Sequence, residues 1–315
     1  MENHNDISAV PLDWREFCIP KKSGGVRHLC APNDTLKEVQ RKYLRRLLIL
    51  SRVVPELKPT AFAHGFVPHR NVMSSIKRHR PDSPLYMCMD IKDFFDNMPV
   101  DYVREVLMKS GLNPSFVDNI ITLASYKGRF PQGGPLSPML MNIGMRETDM
   151  MISAYAKEHG FEYTRYADDI MLSYKGDSIE KGKKFGYIFH GVNALLKVKL
   201  GLKLSWKKCH QIWRNSRFAP RQCLGAILRM DGRGYNAPRK FRRRVRAGVH
   251  NLWCALQRRP ATDGDRVTWR KLRGAIVWMD YVRSFSSDGC NGADPVINEE
   301  KFKFLDRLLY VRRKH

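Results

Sequence analysis

Between Thr35 and Ser51, the apolar residues Leu36, Val39, Tyr43, Leu47 and Leu50 recur at helical spacing with Lys and Arg opposite, which predicts an amphipathic helix. Residues 85–91 (LYMCMDI) form an apolar run of strand length with an acid, Asp90, at its end but one. Asn113-Pro114 reads as a cap and first turn, leading into a helix that runs to Ser125. Ser137-Pro138 repeats the signal ahead of a longer helix, MLMNIGMRETDMMISAYAKE. The segment EYTRYADDIMLSYKG predicts strand, tight turn and strand, with an Asp pair at the turn. A third cap-plus-Pro start, Asn236-Ala237-Pro238, opens the final section. There Phe241, Val245, Val249, Leu252 and Leu256 make one apolar face opposite Arg242, Arg243 and Arg246. Mixed strands and helices with a helical C-terminal section make the fold α+β.

Composition narrows the class. The chain has 315 residues, of which 43% are hydrophobic and 28% charged, values of a folded protein rather than a disordered one. No apolar run approaches the ~18–20 residues of a membrane span, and the opening MENHNDISAV has no signal-peptide pattern, so a cytoplasmic protein without a membrane partner is expected. Seven cysteines (Cys18, Cys30, Cys88, Cys209, Cys223, Cys254 and Cys290) are scattered and never spaced C-x-x-C. They read as reduced thiols rather than a disulfide framework or zinc site.

Charge points to a partner. There are 56 Lys+Arg against 31 Asp+Glu, a net +25, and residues 203–246 alone hold 14 basic residues and one acid, Asp231. Arg alternates there with Phe, Val, Leu and Trp, which suits phosphate forks and base stacking better than simple solubility. Counterion release makes nucleic acid the expected polyanion.

In so basic a chain, clustered carboxylates need a reason. Asp90 lies near the end of the apolar run, and Asp168-Asp169 follow 78 residues later in the strand pair. By spacing alone they are either ordinary acids of surface turns or a site for a hard cation. Buried acids are costly unless a cation or donor satisfies them. Mg²⁺ held by two or three carboxylates keeps positions open for water and phosphate. A pair of such ions can activate a hydroxyl and steady a leaving pyrophosphate.

The motifs around the acids decide between the two. Tyr166-Ala167-Asp168-Asp169 resembles the YADD box of reverse transcriptases. Met89-Asp90-Ile91-Lys92-Asp93-Phe94-Phe95 resembles their first palm motif, and Pro131-Gln132-Gly133-Gly134-Pro135-Leu136-Ser137-Pro138 their nucleotide-side motif. The three occur in family order over residues 15–235, and the type is that of bacterial retron and group II intron enzymes, most like a free-standing retron-like one. The resemblance implies a right-hand polymerase: N-terminal fingers at 1–88, a palm with inserted fingers helices at 89–235, and a basic helical thumb at 236–315.

It also implies roles. Asp90 and Asp168 would be principal metal ligands, joined by the Ile91 carbonyl; Asp169 would contribute less directly, since successive strand residues face opposite ways, unless the turn rotates it inward. Phe95 matches the gate that excludes a ribose 2′-hydroxyl. Gln132, with Gly133-Gly134, would line the incoming nucleotide. Pro20-Lys21-Lys22-Ser23-Gly24-Gly25-Val26-Arg27 resembles the fingers hairpin, whose Lys22 and Arg27 would hold the triphosphate. Lys208, in Leu202-Lys203-Leu204-Ser205-Trp206-Lys207-Lys208, would protonate the pyrophosphate. Cys223-Leu224-Gly225-Ala226 falls where the primer grip should lie, His64-Gly65-Phe66 resembles a template-contacting segment, and Arg239, Arg242, Arg243 and Arg246 would grip nucleic acid from the thumb. Some motifs depart from retron habit. Ser75-Ile76-Lys77-Arg78-His79 stands for an Asn-Ala-x-x-His element, and Cys223-Leu224-Gly225 for Val-Thr-Gly.

The implied function is an RNA-directed DNA polymerase that copies a dedicated structured non-coding RNA by two-metal nucleotidyl transfer, in a retron-like setting of antiphage defence. It would use two Mg²⁺ ions, with Mn²⁺ as a substitute. Its partners would be the RNA template, an RNA–DNA duplex, dNTPs and an effector or toxin protein. Two alternatives use the same chain differently: untemplated or protein-templated DNA synthesis on this fold, and a catalytically idle RNA-binding or splicing scaffold.

Overall fold

The computed structural model describes residues 7–20, 26–80, 83–179, 185–213, 227–229, 234–236, 239–283 and 299–309. Two compact units emerge. The first runs to Trp213 apart from Arg80–Ser83, and the second comprises that short stretch and the chain from Arg214 onward.

The first unit opens with an antiparallel hairpin, β1 (Trp14–Pro20) and β2 (Val26–Pro32), paired from Trp14–Pro32 to Pro20–Val26. Helix α1 (Asp34–Leu50) follows, its first turn capped by the Asn33 side chain, which accepts from the Leu36 N–H. It buries Leu36, Tyr43 and Leu47 as its periodicity predicts. The short α2 (Val72–Ile76) has a capping box between Asn71 and Ser74.

Next comes β3 (Leu85–Asp90), buried at every position. An apolar run without alternation is what a central strand covered on both faces requires. Helices α3 (Phe94–Asn97), α4 (Val100–Lys109) and α5 (Pro114–Ala124) lead to the long α6 (Ser137–Glu158). Asn113 caps α5 as expected. At α6 the Ser-Pro signal finds the helix but not the cap. Leu136 is the N-cap, while Ser137 is the first helical residue, buried with no partner for its hydroxyl. Pro138 has no N–H, so one donor that a capping hydroxyl would serve is missing.

Strands β4 (Phe161–Tyr166) and β5 (Asp169–Tyr174), helix α7 (Gly186–Leu200) and strand β6 (His210–Trp213) complete the unit. The sheet order is β4-β5-β3-β6 with every pairing antiparallel. This order places the end of β3 beside the β4–β5 turn.

The second unit contains the hairpin β7 (Ile227–Arg229) and β8 (Gly234–Asn236), then α8 (Arg239–Leu256), α9 (Asp263–Arg283) and α10 (Glu299–Leu309). The helices share a core of their own in which Val245, Val249 and Leu252 of α8 meet Trp269, Ile276, Met279, Leu305 and Leu309. Burying each such side chain contributes about 1.5–3 kcal/mol. Arg243 and Arg246 are exposed on the opposite face of α8, and Arg242 is half-buried.

No helix among the described residues is long and apolar enough to cross a membrane. Cys30, Cys209 and Cys254 are free thiols, but Cys88 is disulfide-bonded, which corrects the expectation that all seven are reduced.

Candidate active site

Three carboxylates are brought together by two strand ends. Asp90, the last residue of β3, is the direct antiparallel partner of Asp169, the first residue of β5. Only Ala167 and Asp168 lie between the paired Tyr166 and Asp169, so the β4–β5 turn is two residues long. Ala167 has φ of 58°, the left-handed backbone that tight hairpin turns demand. The Ile91 N–H donates to the Asp168 carbonyl at 2.9 Å, tying this turn to the chain leaving β3. The register sets Asp169 directly opposite Asp90.

Lys208 supplies a cation. Its Nζ donates to both carboxylate oxygens of Asp90, at 2.8 and 2.7 Å. A single helical turn at Trp206–Lys208 delivers it, anchored by the Ser205 N–H donating to the Asp90 carbonyl at 2.7 Å. Lys207 on the same turn is exposed.

The electrostatics are those of a cluster short of positive charge. Burial pushes the Asp90 carboxyl up, the Lys208 contact pulls it down, and Asp168 and Asp93 push it up again, with a net rise. Asp169 is pushed up to about 7, first by burial and then by the charges of Asp168 and Asp90, with Lys208 opposing. Burial alone would lower the Lys208 ammonium, but its bond to Asp90 and the carboxylate charges raise it.

This donor set fits a hard divalent cation. It offers only oxygen, it repels itself, and one ammonium already stands in for part of the missing charge. Among the described residues no group of three or more His, Cys, Asp or Glu side chains is arranged to hold a metal ion by itself. Mg²⁺ does not need one, because it is usually held by one or two carboxylates and completed by water and substrate phosphate.

Phe95 lies just past Asp90 in α3, 8% exposed, with edge contacts to Phe94 (centroids 5.6 Å apart) and Phe66 (6.1 Å). Gln132 accepts at its carbonyl from the Cys30 N–H of β2 at 3.4 Å. Beside it Gly133 has φ of 136°, and a Cβ there would lie 2.6 Å from the Cys30 carbonyl oxygen, so the loop can reach β2 only with glycine. Lys22, the side chains of Arg27 and Arg239, and Cys223-Leu224-Gly225-Ala226 lie outside the described residues. Arg242, Arg243 and Arg246 belong to the second unit, whereas Asp90, Ile91, Phe95, Gln132, Asp168, Asp169 and Lys208 all belong to the first.

Residues 19–250 match the family model described as reverse transcriptase (RNA-dependent DNA polymerase), well over half of the chain. The chain belongs to the reverse transcriptase family. Its relatives include the Retron Mx162 reverse transcriptase of Myxococcus xanthus, 26% identical over 302 residues that cover 88% of this chain and 59% of that protein. The Retron Ec86 reverse transcriptase of Escherichia coli is also 26% identical, over 89% of this chain and 79% of that one. Among solved structures, apo telomerase from Candida tropicalis aligns over 95% of this chain and 60% of its own with a TM-score of 0.52 at 13% identity, a likeness of fold. Reverse transcriptases generally use divalent metal ions.

Sequence reasoning missed the layer behind the acids of this reverse transcriptase-family protein. Asp149, Arg165 and Asn142 form a buried network there. A signal existed for Asp149, since Met145, Asp149, Ile152 and Ala156 share one helical face and the other three are apolar. An acid on a buried stripe needs a partner.

Proposed function

We propose that this reverse transcriptase-family protein is an RNA-directed DNA polymerase of retron-like type, working in the cytoplasm with a structured non-coding RNA as template and dNTPs as substrates. The observation that carries the reading is the pairing of Asp90 with Asp169 beside the Asp168 turn, three carboxylates left short of positive charge in a chain of net charge +25. Self-repelling acids are retained where they hold something cationic.

In this reading Asp90, Asp168 and Asp169, with the Ile91 carbonyl, hold two Mg²⁺ ions, and Mn²⁺ substitutes. Bound there, divalent ions would ease deprotonation of the primer hydroxyl and neutralise charge on the pyrophosphate. Lys208 carries a proton within reach of the cluster and is the donor to the leaving group. Phe95 walls the sugar side of the nucleotide, Gln132 lines it, and Lys22 and Arg27 bind the triphosphate. Arg239, Arg242, Arg243 and Arg246 contact the phosphates of an RNA–DNA duplex. Residues 1–88 and the inserted helices act as fingers, the remainder of 89–235 as palm and 236–315 as thumb.

The test is to purify the protein from its host and sequence the bound nucleic acid with and without RNase treatment. One RNA joined to a complementary DNA of fixed length is the expected result. Repetitive DNA without an RNA counterpart would move the function to untemplated synthesis, and RNA alone would make the chain a binding scaffold.

A further inference from the structure

Directly behind the acid cluster, Asp149 of α6 and Arg165 of β4 are both wholly buried. Arg165 forks onto the carboxylate, with Nε donating to Oδ1 at 2.7 Å and Nη2 to Oδ2 at 2.8 Å. The Tyr163 hydroxyl adds a bond to Oδ1 at 2.7 Å and Thr60 Oγ1 one to Oδ2 at 3.2 Å. Burial alone would lower the Arg165 guanidinium, but the Asp149 charge keeps it above its ordinary value.

The guanidinium has further donors, and they point toward the turn. Nη1 donates to the Ala167 carbonyl at 2.9 Å, and Nη2 also reaches Asn142 Oδ1 at 3.1 Å. Asn142 in turn donates through Nδ2 to the Gly65 carbonyl at 2.9 Å. The main chain of the same segment is stitched to Arg165: its N–H donates to Phe62 O at 2.9 Å, and the His64 N–H donates to its carbonyl at 2.8 Å. Gly65 packs so closely that a Cβ would sit 2.4 Å from the Ala167 nitrogen.

An ion pair buried like this is poor evidence of stabilisation, because desolvation offsets the attraction. Its direction is more informative. Ala167 is a non-glycine residue in the left-handed region, a conformation that persists only where its surroundings over-determine it. The Ala167 carbonyl lies in the peptide plane it shares with the Asp168 nitrogen, so holding that oxygen sets the angle at which Asp168 leaves the turn.

We propose that Arg165 is a positioning residue for the Ala167–Asp168 turn. Clamped by Asp149 and Asn142, its guanidinium orients the peptide that carries Asp168 and couples it to the His64-Gly65-Phe66 segment. The proposal rests on the polymerase reading given above. Lysine would keep the charge beside Asp149, but it lacks the planar fork that reaches Asp149, Asn142 and Ala167 together.

The experiment compares the full-length wild type with Arg165→Lys, well below the melting temperature of either. Three quantities are measured: single-turnover primer extension across Mg²⁺ concentrations, template–primer affinity, and Mn²⁺ binding by EPR in the absence of nucleotide and nucleic acid. The folded variant is expected to extend about 100-fold more slowly, as misplacement of a reacting group by an ångström does. Its Mn²⁺ affinity should fall by about 10-fold, the usual cost of losing an outer-shell partner, with template–primer affinity unchanged. A lowered melting temperature with wild-type extension and wild-type Mn²⁺ binding would reduce the pair to a structural one and overturn the proposal. Should Arg165→Lys not fold, Asn142→Ala keeps the Asp149 fork and carries the same test, with weakened Mn²⁺ binding supporting the proposal and wild-type binding overturning it. Mn²⁺ binding does not depend on catalysis. A wild type that makes no DNA therefore sinks the polymerase reading, while the role of Arg165 is still decided by the EPR result.

Discussion

Asp149 of α6 and Asp169 of β5 belong to one unit and both have restricted access to water, yet they meet opposite company. Asp149 receives donors from Arg165, Tyr163 and Thr60, and its charge is matched where it stands. Asp169 faces Asp90 and Asp168, with one ammonium, Lys208, shared among them. The first site is complete in the folded chain alone, and the second is not. That difference separates a carboxylate that builds the scaffold from carboxylates kept in spite of their cost to stability. It also explains why the two lie back to back: the balanced pair can hold rigid what the unbalanced cluster needs held.

The comparison can be broken most directly at Asp168. Asp168→Ala should reduce primer extension by about 1,000-fold or more, because a ligand to the reacting centre is lost, and should leave RNA affinity unchanged. Retained extension would put the reaction elsewhere. Asp149→Ala is expected to act in the opposite register. It strands the Arg165 charge in the interior and should cost about 3–5 kcal/mol of stability in denaturant unfolding; a loss of only a few tenths would mean that the pair is not isolated from water. Phe95→Ala sharpens the boundary between the two sites, since Phe95 packs on Phe94, whose ring lies 5.8 Å from the Arg165 guanidinium carbon. Discrimination against ribonucleotides should relax by about 10–100-fold in the ratio of kcat/KM values, and unchanged selectivity would move the gate to another residue.

The smallest effect has an unusual sign. Asp169 is raised from 3.8 to about 7 in the folded chain, so the fold prefers it protonated. Its penalty is absent below the unfolded value, grows as pH rises between the two and is complete above the upper one. Asp169→Asn should therefore stabilise the metal-free protein at about pH 8, by roughly 1–2 kcal/mol after allowance for solvent screening, and change little at about pH 4. Thermal melts of both proteins across that range test this, and a destabilised variant at the higher pH would show that the cluster is already neutralised.

Local signals in the chain were enough to place most elements. Helix α1 was legible from Leu36, Tyr43 and Leu47, α5 from Asn113-Pro114, and β3 from an apolar run with Asp90 near its end. The YADD hairpin was legible too, because a two-residue turn between short strands is a contact between near neighbours. The candidate site was legible only where motifs carried it. That Asp169 would face Asp90 depends on strand register between segments 79 residues apart, which no local pattern encodes. That Lys208 would meet Asp90 spans 118 residues. Arg165 and Asp149, 16 apart on different elements, become partners only when α6 packs on β4. Composition, helical and strand periodicity, capping residues and the family motifs were thus set by the sequence itself, since each is decided within a few residues. The pairing of charges was decided by tertiary structure alone, since burial and distance determine what a charge costs and which partner can offset that cost.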